Sequence, residues 1–375
     1  MYNCSMDKKH RGTIRNIVIV LLVLFVFYWI GIYILVSAVL VPSFMEKLSS
    51  FERIAAQSYA EQVQESELQK NNAAMYLIGK HWAENCDPES VEVISDDGYR
   101  LKGMIFGNEG DAGSEEGSAE EIQDKENRDK EIQDKENRDK EIDIEERNDH
   151  RPWVILLHGY TGSKEMMYPY AYWYVKRGYH VLTPDFRCQG ESEGDYIGLG
   201  ATDSKDLDRW IELILEREPE AEIVLHGLSM GASTALIHSA KPDSHIKAVI
   251  SDCAFTDAYS MFREKVWSWF HLPAFPVIDS ARLMIRLRAG YDLKETSPLN
   301  AVENSHVPTL FIHGREDRMI PFDMCRELYD AAACDKEIMI VDGAGHAQAV
   351  DRDPVEYWIT IEHFLEKHVG LINGL

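Results

Sequence analysis

An uncharged apolar run near the N-terminus is the longest feature of the hydrophobic pattern. It extends from Ile17 to Val41, which is 25 residues without an Asp, Glu, Lys or Arg. As an α-helix rising ~1.5 Å per residue it is about 37 Å long, more than the ~30 Å hydrocarbon core of a bilayer. It is also longer than the apolar region of about 7–15 residues that is typical of a cleaved signal peptide. The pattern predicts an uncleaved transmembrane signal anchor over residues 17–41 rather than a buried core helix.

Two further patterns follow the apolar run. Between residues 44 and 82 apolar positions recur every three or four residues, which predicts an amphipathic membrane-proximal helix. We expect it to pack on the membrane surface or on the domain that follows. Residues 91–95 and 101–106 are then separated by Asp96, Asp97 and Gly98. An Asp-Gly turn between two such segments predicts a β-hairpin.

From residue 153 onward, short continuous apolar runs alternate with helical patterns. Runs of this kind are typical of strands buried on both faces of a mostly parallel sheet. Together with the hairpin they predict a single α/β domain over residues 91–375, with helices on both faces of the sheet. The runs are VILLHG (154–159), HVLTPD (180–185), EIVLHGLS (222–229), IKAVISD (246–252), TLFIHG (309–314) and EIMIVDG (337–343).

Residues 256–304 separate two of these runs, and we expect them to form a small helical lid. We call them the lid segment. Its large apolar side chains suit a surface that faces acyl or lipid-like substrates, although packing of the lid on the core explains most of them equally well. They are Phe262, Trp267, Trp269, Phe270, Leu272 and Phe275.

Charge is concentrated in one segment, residues 109–150, which holds 18 acidic and 7 basic residues and repeats the decapeptide EIQDKENRDK at 121–130 and 131–140. So few large apolar residues cannot offset the entropy of ordering the chain, so we expect a disordered acidic insertion. The whole chain carries 39 Lys plus Arg against 64 Asp plus Glu, a net charge of −25. This excludes a general binder of nucleic-acid backbones. The six cysteines are scattered without a CxxC pair, so neither a zinc ribbon nor a disulfide-stapled miniprotein is indicated. No metal and no cofactor is expected.

The flanks of the apolar run predict its orientation. Four basic residues precede it and are opposed by Asp7 alone, whereas the charges just after it balance. The positive-inside rule therefore makes residues 1–16 a cytoplasmic tail of a single-pass cell-membrane protein and places the α/β domain outside the cytoplasm. The four basic residues are Lys8, Lys9, Arg11 and Arg15.

The strongest chemical signal is G-x-S-x-G at residues 227–231, directly after a predicted strand and before a predicted helix. The two glycines allow a sharp turn that leaves Ser229 exposed at its tip, with the helix N-terminus behind it to favour negative charge. This context predicts that Ser229 is a nucleophile. A serine hydroxyl needs a base to take its proton and an acid to orient that base.

His346, in a glycine-containing loop after the last strand, is the best candidate for the base. Asp317, in the loop after the preceding strand, gives the order Ser, Asp, His and is the favoured acid. Asp252, at the end of an earlier strand, and the neighbouring Glu316 remain alternatives. A catalytic serine also needs amide donors for its oxyanion, and we expect them to be the main-chain N–H groups of Tyr160 and Met230.

Two other groups of polar residues receive supporting roles. Asp185, Arg187, Gly190 and Ser192 follow the second parallel strand on the same sheet edge and are expected to brace the floor of the site. His313 is expected to pack or hydrogen-bond at its strand end rather than to bind a metal.

The motifs HGYTG, DFRCQGES, GLSMG, SPLNAVENSHVPTLFIHGREDRMIP and GAGHAQA resemble, in type and order, those of the α/β-hydrolase superfamily. The similarity covers about residues 91–370 and is greatest to the Bem46-like and serine aminopeptidase-like group of membrane-anchored bacterial hydrolases. It implies an α/β-hydrolase fold with Ser229, Asp317 and His346 as catalytic residues and Tyr160 and Met230 as the oxyanion hole. The chain departs from the group in its acidic insertion and at Cys188-Gln189, where many relatives have Gly-His, which weakens inference about the substrate.

The expected function is that of a serine hydrolase that cleaves carboxylic esters or thioesters of a small acyl or lipid-like substrate through an acyl-enzyme. A peptidase acting through the same residues is the alternative within enzymes. A non-catalytic surface protein that binds partners through the acidic insertion is the alternative outside them, and it predicts a broken set of catalytic residues. Protein partners remain open.

Overall fold

The computed structural model describes residues 2–42, 78–107 and 151–370. Its first element, α1, is a helix over Tyr2–Leu40. Within it, Asn16–Leu40 is long and apolar enough to cross a membrane. The prediction of one N-terminal apolar helix is confirmed, with bounds one residue from those expected. Most of the predicted membrane-proximal helix and the acidic insertion lie outside the described residues, although residues 78–85 are helical.

A single eight-stranded sheet forms the centre of the domain, in the order β1-β2-β4-β3-β5-β6-β7-β8. The predicted hairpin is its antiparallel edge, with Val91 opposite Gly103, and β3 to β8 are parallel. The mostly parallel sheet is therefore confirmed. The strands are β1 (Glu89–Ile94), β2 (Arg100–Phe106), β3 (Trp153–Leu157), β4 (His180–Pro184), β5 (Ile223–Leu228), β6 (Ile246–Asp252), β7 (Thr309–Gly314) and β8 (Lys336–Val341).

The central strands are continuous apolar runs because both faces of the sheet are covered. Along β3, Ile155 and Leu157 belong to the core on one face, while Val154 and Leu156 belong to the core on the other. All four side chains are buried. Alternation along one strand thus fills two cores.

Helices cover both faces and connect the parallel strands. They are α2 (Tyr168–Val175), α3 (Asp203–Arg217), α4 (Met230–Ser239), α5 (Ala258–Phe270), α6 (Ala274–Ala289), α7 (Pro298–Val302), α8 (Phe322–Ala331), α9 (Ala349–Arg352) and α10 (Pro354–His368), with a 3-10 turn at Lys164–Met167.

The lid segment contains α5, α6 and α7. Asp257 caps α5, since its carboxylate accepts a hydrogen bond from the Ser260 amide. Three of the large apolar side chains of the lid segment, Trp267, Leu272 and Phe275, are exposed, so packing on the core does not explain them. The buried side chains of α6 are Ile278, Ala281 and Ile285.

Candidate active site

Ser229 lies between β5 and α4 in a conformation that few non-glycine residues adopt. Its φ of 57° and ψ of −112° place it outside the main allowed regions for L-residues. The flanking glycines permit the turn because the backbone packs closely on itself. A Cβ at Gly227 would lie 2.3 Å from the Ala232 nitrogen, and one at Gly231 would lie 2.1 Å from the Leu157 oxygen. The strain is held by the packed turn, and such strain is concentrated at functional sites.

His346 and Asp317 lie next to Ser229 although they are far from it in the chain. The Ser229 Oγ is 2.9 Å from the His346 Nε2, and the His346 Nδ1 is 2.7 Å from the Asp317 Oδ2. A carboxylate only accepts hydrogen bonds, so Nδ1 carries the ring proton and Nε2 is left to accept from the serine hydroxyl. The three side chains therefore form one chain of hydrogen bonds that ends at the serine.

Asp317 is held in a single orientation. Its Oδ1 accepts hydrogen bonds from the Met319 and Ile320 amides, both at 2.8 Å. Its Oδ2 also lies 3.3 Å from the His313 Nε2. Burial alone would raise the pKa of Asp317, but the hydrogen bonds from His313 and His346 outweigh burial and lower it well below its usual range. The carboxyl group is therefore ionised, as the orienting acid of a histidine base must be.

Asp252, the first alternative acid, belongs to a different network. Its Oδ2 accepts a hydrogen bond from the Tyr357 hydroxyl at 3.0 Å. That hydroxyl is 3.1 Å from the His226 Nε2, and the Tyr174 hydroxyl is 3.0 Å from the His226 Nδ1. Burial raises the pKa of Asp252 to about 6 and lowers that of His226 to about 3. This network is a buried brace behind the site.

Glu316, the second alternative, also points elsewhere. Its Oε2 accepts a hydrogen bond from the Gly343 amide at 2.5 Å. Among the candidate acids in the described part of the chain, Asp317 is the one hydrogen-bonded to His346.

The loop after β3 and the start of α4 carry the two expected oxyanion donors, Tyr160 and Met230. A Cβ at Gly159 would lie 3.6 Å from the Ser229 Cβ, so the adjoining Tyr160 main chain lies next to the nucleophile. Met230 is the first residue of α4, and the amides of a helix's first turn have no partner within the helix. His158 fixes this loop, since its Nδ1 donates to the Gly159 oxygen at 2.7 Å and its Nε2 accepts from the Phe186 amide at 3.0 Å.

The loop after β4 is organised around Asp185. Its carboxylate accepts hydrogen bonds from the Lys164 amide and ammonium groups and from the Glu191 amide. Arg187 makes a bidentate pair with Asp206, with both N···O distances at 2.6 Å. These contacts agree with a bracing function for the loop.

Sequence comparison agrees with this geometry. The sequence model of a family described as "Alpha/beta hydrolase family" matches residues 154–357. The chain belongs to this family. It is 28% identical over 215 residues to YqkD of Bacillus subtilis, a match that covers 57% of this chain and 70% of YqkD. It is 29% identical over 199 residues to the lysophosphatidylserine lipase ABHD12 of Danio rerio, spanning about half the length of each protein.

Solved structures resemble this α/β-hydrolase in fold. The Pyrococcus furiosus esterase Pf2001 has a TM-score of 0.55 at 21% identity, covering 78% of this chain and 95% of the esterase. The Pyrococcus horikoshii acylaminoacyl peptidase has a TM-score of 0.51 at 18% identity and is covered over 42% of its length. At these identities the likeness shows the shared fold and leaves the reaction open.

The buried thiol of Cys253 near the candidate active site was not predicted from the sequence. The Cys253 sulfur lies within 4.8 Å of ligand atoms of Asp317 and His346. Burial raises the pKa of Cys253 well above its usual range, so the sulfur stays protonated and is a poor metal ligand. His346 and Asp317 are already paired with each other. The cluster is better explained as packing beneath the serine than as a metal centre.

The contact between the anchor helix and the site was also missed. The Tyr160 hydroxyl donates to the Val39 carbonyl at 2.6 Å, and the Ile197 amide donates to the Leu40 carbonyl at 2.9 Å. The end of α1 thus contacts the residue expected to supply an oxyanion donor. The only sequence signal was the presence of polar atoms in an otherwise apolar run, at Tyr28, Tyr33 and Ser37.

Proposed function

We propose that this α/β-hydrolase is a serine hydrolase that cleaves carboxylic esters or thioesters of small acyl or lipid-like substrates. The hydrogen-bonded chain from the Ser229 Oγ through His346 to Asp317 is the observation that carries the proposal. The family shows that the chain is a hydrolase by descent, and the similarity to a lysophosphatidylserine lipase supports an acyl ester as substrate.

The geometry supports a two-step reaction. The His346 Nε2 takes the hydroxyl proton as the Ser229 Oγ forms a bond with the acyl carbon. The oxyanion accepts hydrogen bonds from the Tyr160 and Met230 amides, and the protonated His346 then gives its proton to the departing alkoxide or thiolate as that bond breaks. Water, deprotonated by His346, then attacks the acyl carbon. The bond between that carbon and the Ser229 Oγ breaks, the protonated His346 returns its proton to the Oγ, and the acid is released. Asp317 keeps the imidazole in the required tautomer and stabilises its protonated form.

The apolar part of α1 supports a membrane-anchored form of this enzyme. We place residues 17–41 across the cell membrane, residues 1–16 in the cytoplasm and the hydrolase domain outside it. The basic residues before the apolar run favour this orientation.

A fluorophosphonate probe and short p-nitrophenyl esters test the proposed chemistry. The full-length protein in detergent should be labelled and should hydrolyse the ester, and Ser229→Ala should lose both activities. Ser239→Ala is the matched control, because Ser239 lies on α4 and its hydroxyl donates only to the Leu236 carbonyl. Unchanged labelling of Ser229→Ala would overturn the nucleophile, and turnover of aminoacyl amides without ester turnover would indicate a peptidase.

A further inference from the structure

The second half of α1 packs on the lid segment. The Tyr28 hydroxyl is 2.7 Å from the Ser280 Oγ and 3.2 Å from the Pro276 carbonyl oxygen. Nine residues further along α1, the Ser37 Oγ accepts a hydrogen bond from Arg288 at 2.8 Å. Helix α6 therefore runs beside α1 in the same direction. The side chains of α1 that this packing buries are Ile32, Val36 and Leu40.

The packing leaves too little free helix to cross a bilayer. Side chains 17–27 of α1 are exposed, and these 11 residues extend about 16 Å at ~1.5 Å each. The hydrocarbon core of ~30 Å needs about 20 residues. If the hydrocarbon core begins at Ile17, it ends near Val36. Pro276 contacts Tyr28, so it lies level with that residue of α1 and about 12 Å below the surface of the hydrocarbon. An anchor that spans the membrane must therefore carry the start of α6 into the lipid.

The part of the lid segment that lies at this depth has an apolar exterior. Residues 266–278, which we call the lid tip, contain no Asp, Glu, Lys or Arg. Within the lid tip, the Phe275 side chain is 75% exposed and the Trp267 side chain is 61% exposed. Further along α6, Leu283 and Leu287 are also exposed. Large exposed apolar side chains on neighbouring elements form the kind of surface that marks an interaction site.

We propose that the lid tip is immersed in the membrane leaflet on the side where the hydrolase domain emerges, and that acyl substrates enter the site from that leaflet. Two of the four charged residues of α6 lie near the depth of the lipid phosphates, since Arg288 is level with Ser37 and Arg286 is exposed. The other two lie deeper and are paired within the protein. Asp279 accepts a hydrogen bond from the Tyr259 hydroxyl at 3.1 Å, and Arg282 makes a bidentate pair with the buried Asp292.

The immersed surface is connected to the catalytic residues through α5. The buried Lys265 ammonium, one residue before the lid tip, donates to the Arg318 carbonyl at 2.8 Å, next to Asp317. On the opposite side, the Val39 carbonyl holds the Tyr160 hydroxyl. The anchor and the lid tip thus hold the site at the bilayer surface. This inference rests on the proposed function, since it requires both a membrane-spanning α1 and a substrate with an acyl chain.

Photocrosslinking tests the placement directly. The full-length protein carries a benzophenone amino acid at position 275, 22 or 355 and is reconstituted in nanodiscs of phosphatidylcholine and phosphatidylglycerol. Phe275, Leu22 and Val355 have similar exposure, at 75%, 58% and 68%, but Val355 lies on α10. Lipid adducts at positions 275 and 22 but not at 355 are expected. An adduct at 22 without one at 275 overturns the immersion alone, and no adduct at either position overturns the membrane anchor as well.

Kinetics test the consequence for substrate entry. Phe275→Asp should lower kcat/KM for a long-chain ester embedded in the same nanodiscs about tenfold, mainly through KM, because one buried phenyl ring contributes affinity of about that size. Hydrolysis of a short soluble ester should stay near the wild-type rate. Val355→Asp, the matched control, should change neither. Equal losses on both esters would show that Phe275 has only a structural role, and an unaffected long-chain ester would overturn entry from the leaflet. Failure of the wild type on both esters would instead contradict the proposed chemistry.

Discussion

Replacing Asp317 by asparagine should abolish most of the hydrolase's turnover while the chain still folds. In the structure, the Asp317 Oδ1 accepts from two backbone amides at 2.8 Å. The Oδ2 accepts from His346 at 2.7 Å, and the longer contact of 3.3 Å from the His313 Nε2 is the weaker constraint on that position. An asparagine in the same rotamer can place its NH₂ group at the position of either the Oδ1 or the Oδ2. If the NH₂ group faces the two backbone amides, each of these buried N–H donors loses its acceptor, at a cost of about 1–3 kcal/mol of stability for each. The NH₂ group should therefore face His346.

That orientation reverses the tautomer of the base. The asparagine NH₂ donates to the His346 Nδ1, so the ring proton moves to Nε2 and faces the Ser229 Oγ. An Nε2 that carries a proton cannot accept another from the serine. In a serine protease the same change lowers kcat by about 10⁴, which corresponds to about 5.5 kcal/mol of activation free energy at ~1.36 kcal/mol per decade. We expect a loss on the order of 10³–10⁴ here.

The assay is the rate of fluorophosphonate labelling together with hydrolysis of a p-nitrophenyl ester. Asp252→Asn is the matched control, because an asparagine can still accept the hydrogen bond from Tyr357 and, within the described part of the chain, the acid hydrogen-bonded to His346 is Asp317. Melting curves establish that both variants are folded at the assay temperature. Near-normal turnover by Asp317→Asn with an inactive Asp252→Asn would refute this reasoning and assign the acid to β6.

Three further outcomes follow from other parts of the molecule. Burial and the neighbouring Asp206 raise the pKa of Asp203 to about 7. Between pH ~4 and ~7 the folded state therefore holds a proton that the unfolded state has lost, and the free energy of unfolding falls as the pH rises. Asp203→Asn keeps an acceptor for the Gly200 amide and should raise Tm at pH 8 more than at pH 5; an equal shift at both pH values would contradict this. The Arg151 side chain donates to the Gly107 carbonyl at 3.4 Å, so the described residues that flank the acidic insertion lie close together. Replacing residues 110–148 by a short Gly/Ser linker should then change Tm little, because loop-closure entropy varies slowly with length, and a large loss would mean that the insertion packs on the core. Protease added to spheroplasts should digest the hydrolase domain, and complete protection would reverse the proposed orientation.

Local patterns in the sequence were sufficient for most of the fold. A strand buried on both faces needs a continuous apolar run, and a helix that crosses lipid needs about 20 such residues. Both requirements act over a few residues of contiguous chain, so β3, β5 and the apolar part of α1 were predicted within one or two residues of their bounds. The serine turn is local in the same way, since Gly227 and Gly231 are needed where the backbone of the turn approaches its neighbours.

Contacts between distant segments could not be read from such patterns. Asp317 and Asp252 both follow strands at the same edge of the sheet, so strand order alone left either available to His346. Only the packed structure turns Asp252 toward Tyr357 and places His313 against Asp317. The packing of Tyr28 on Ser280 joins residues 252 apart in sequence. Hydrophobic periodicity shows which side of a helix avoids water, but that side can be covered either by lipid or by protein. The sequence of α1 therefore determined that it is apolar, and the tertiary structure decided that half of it packs on the lid segment beside the candidate active site.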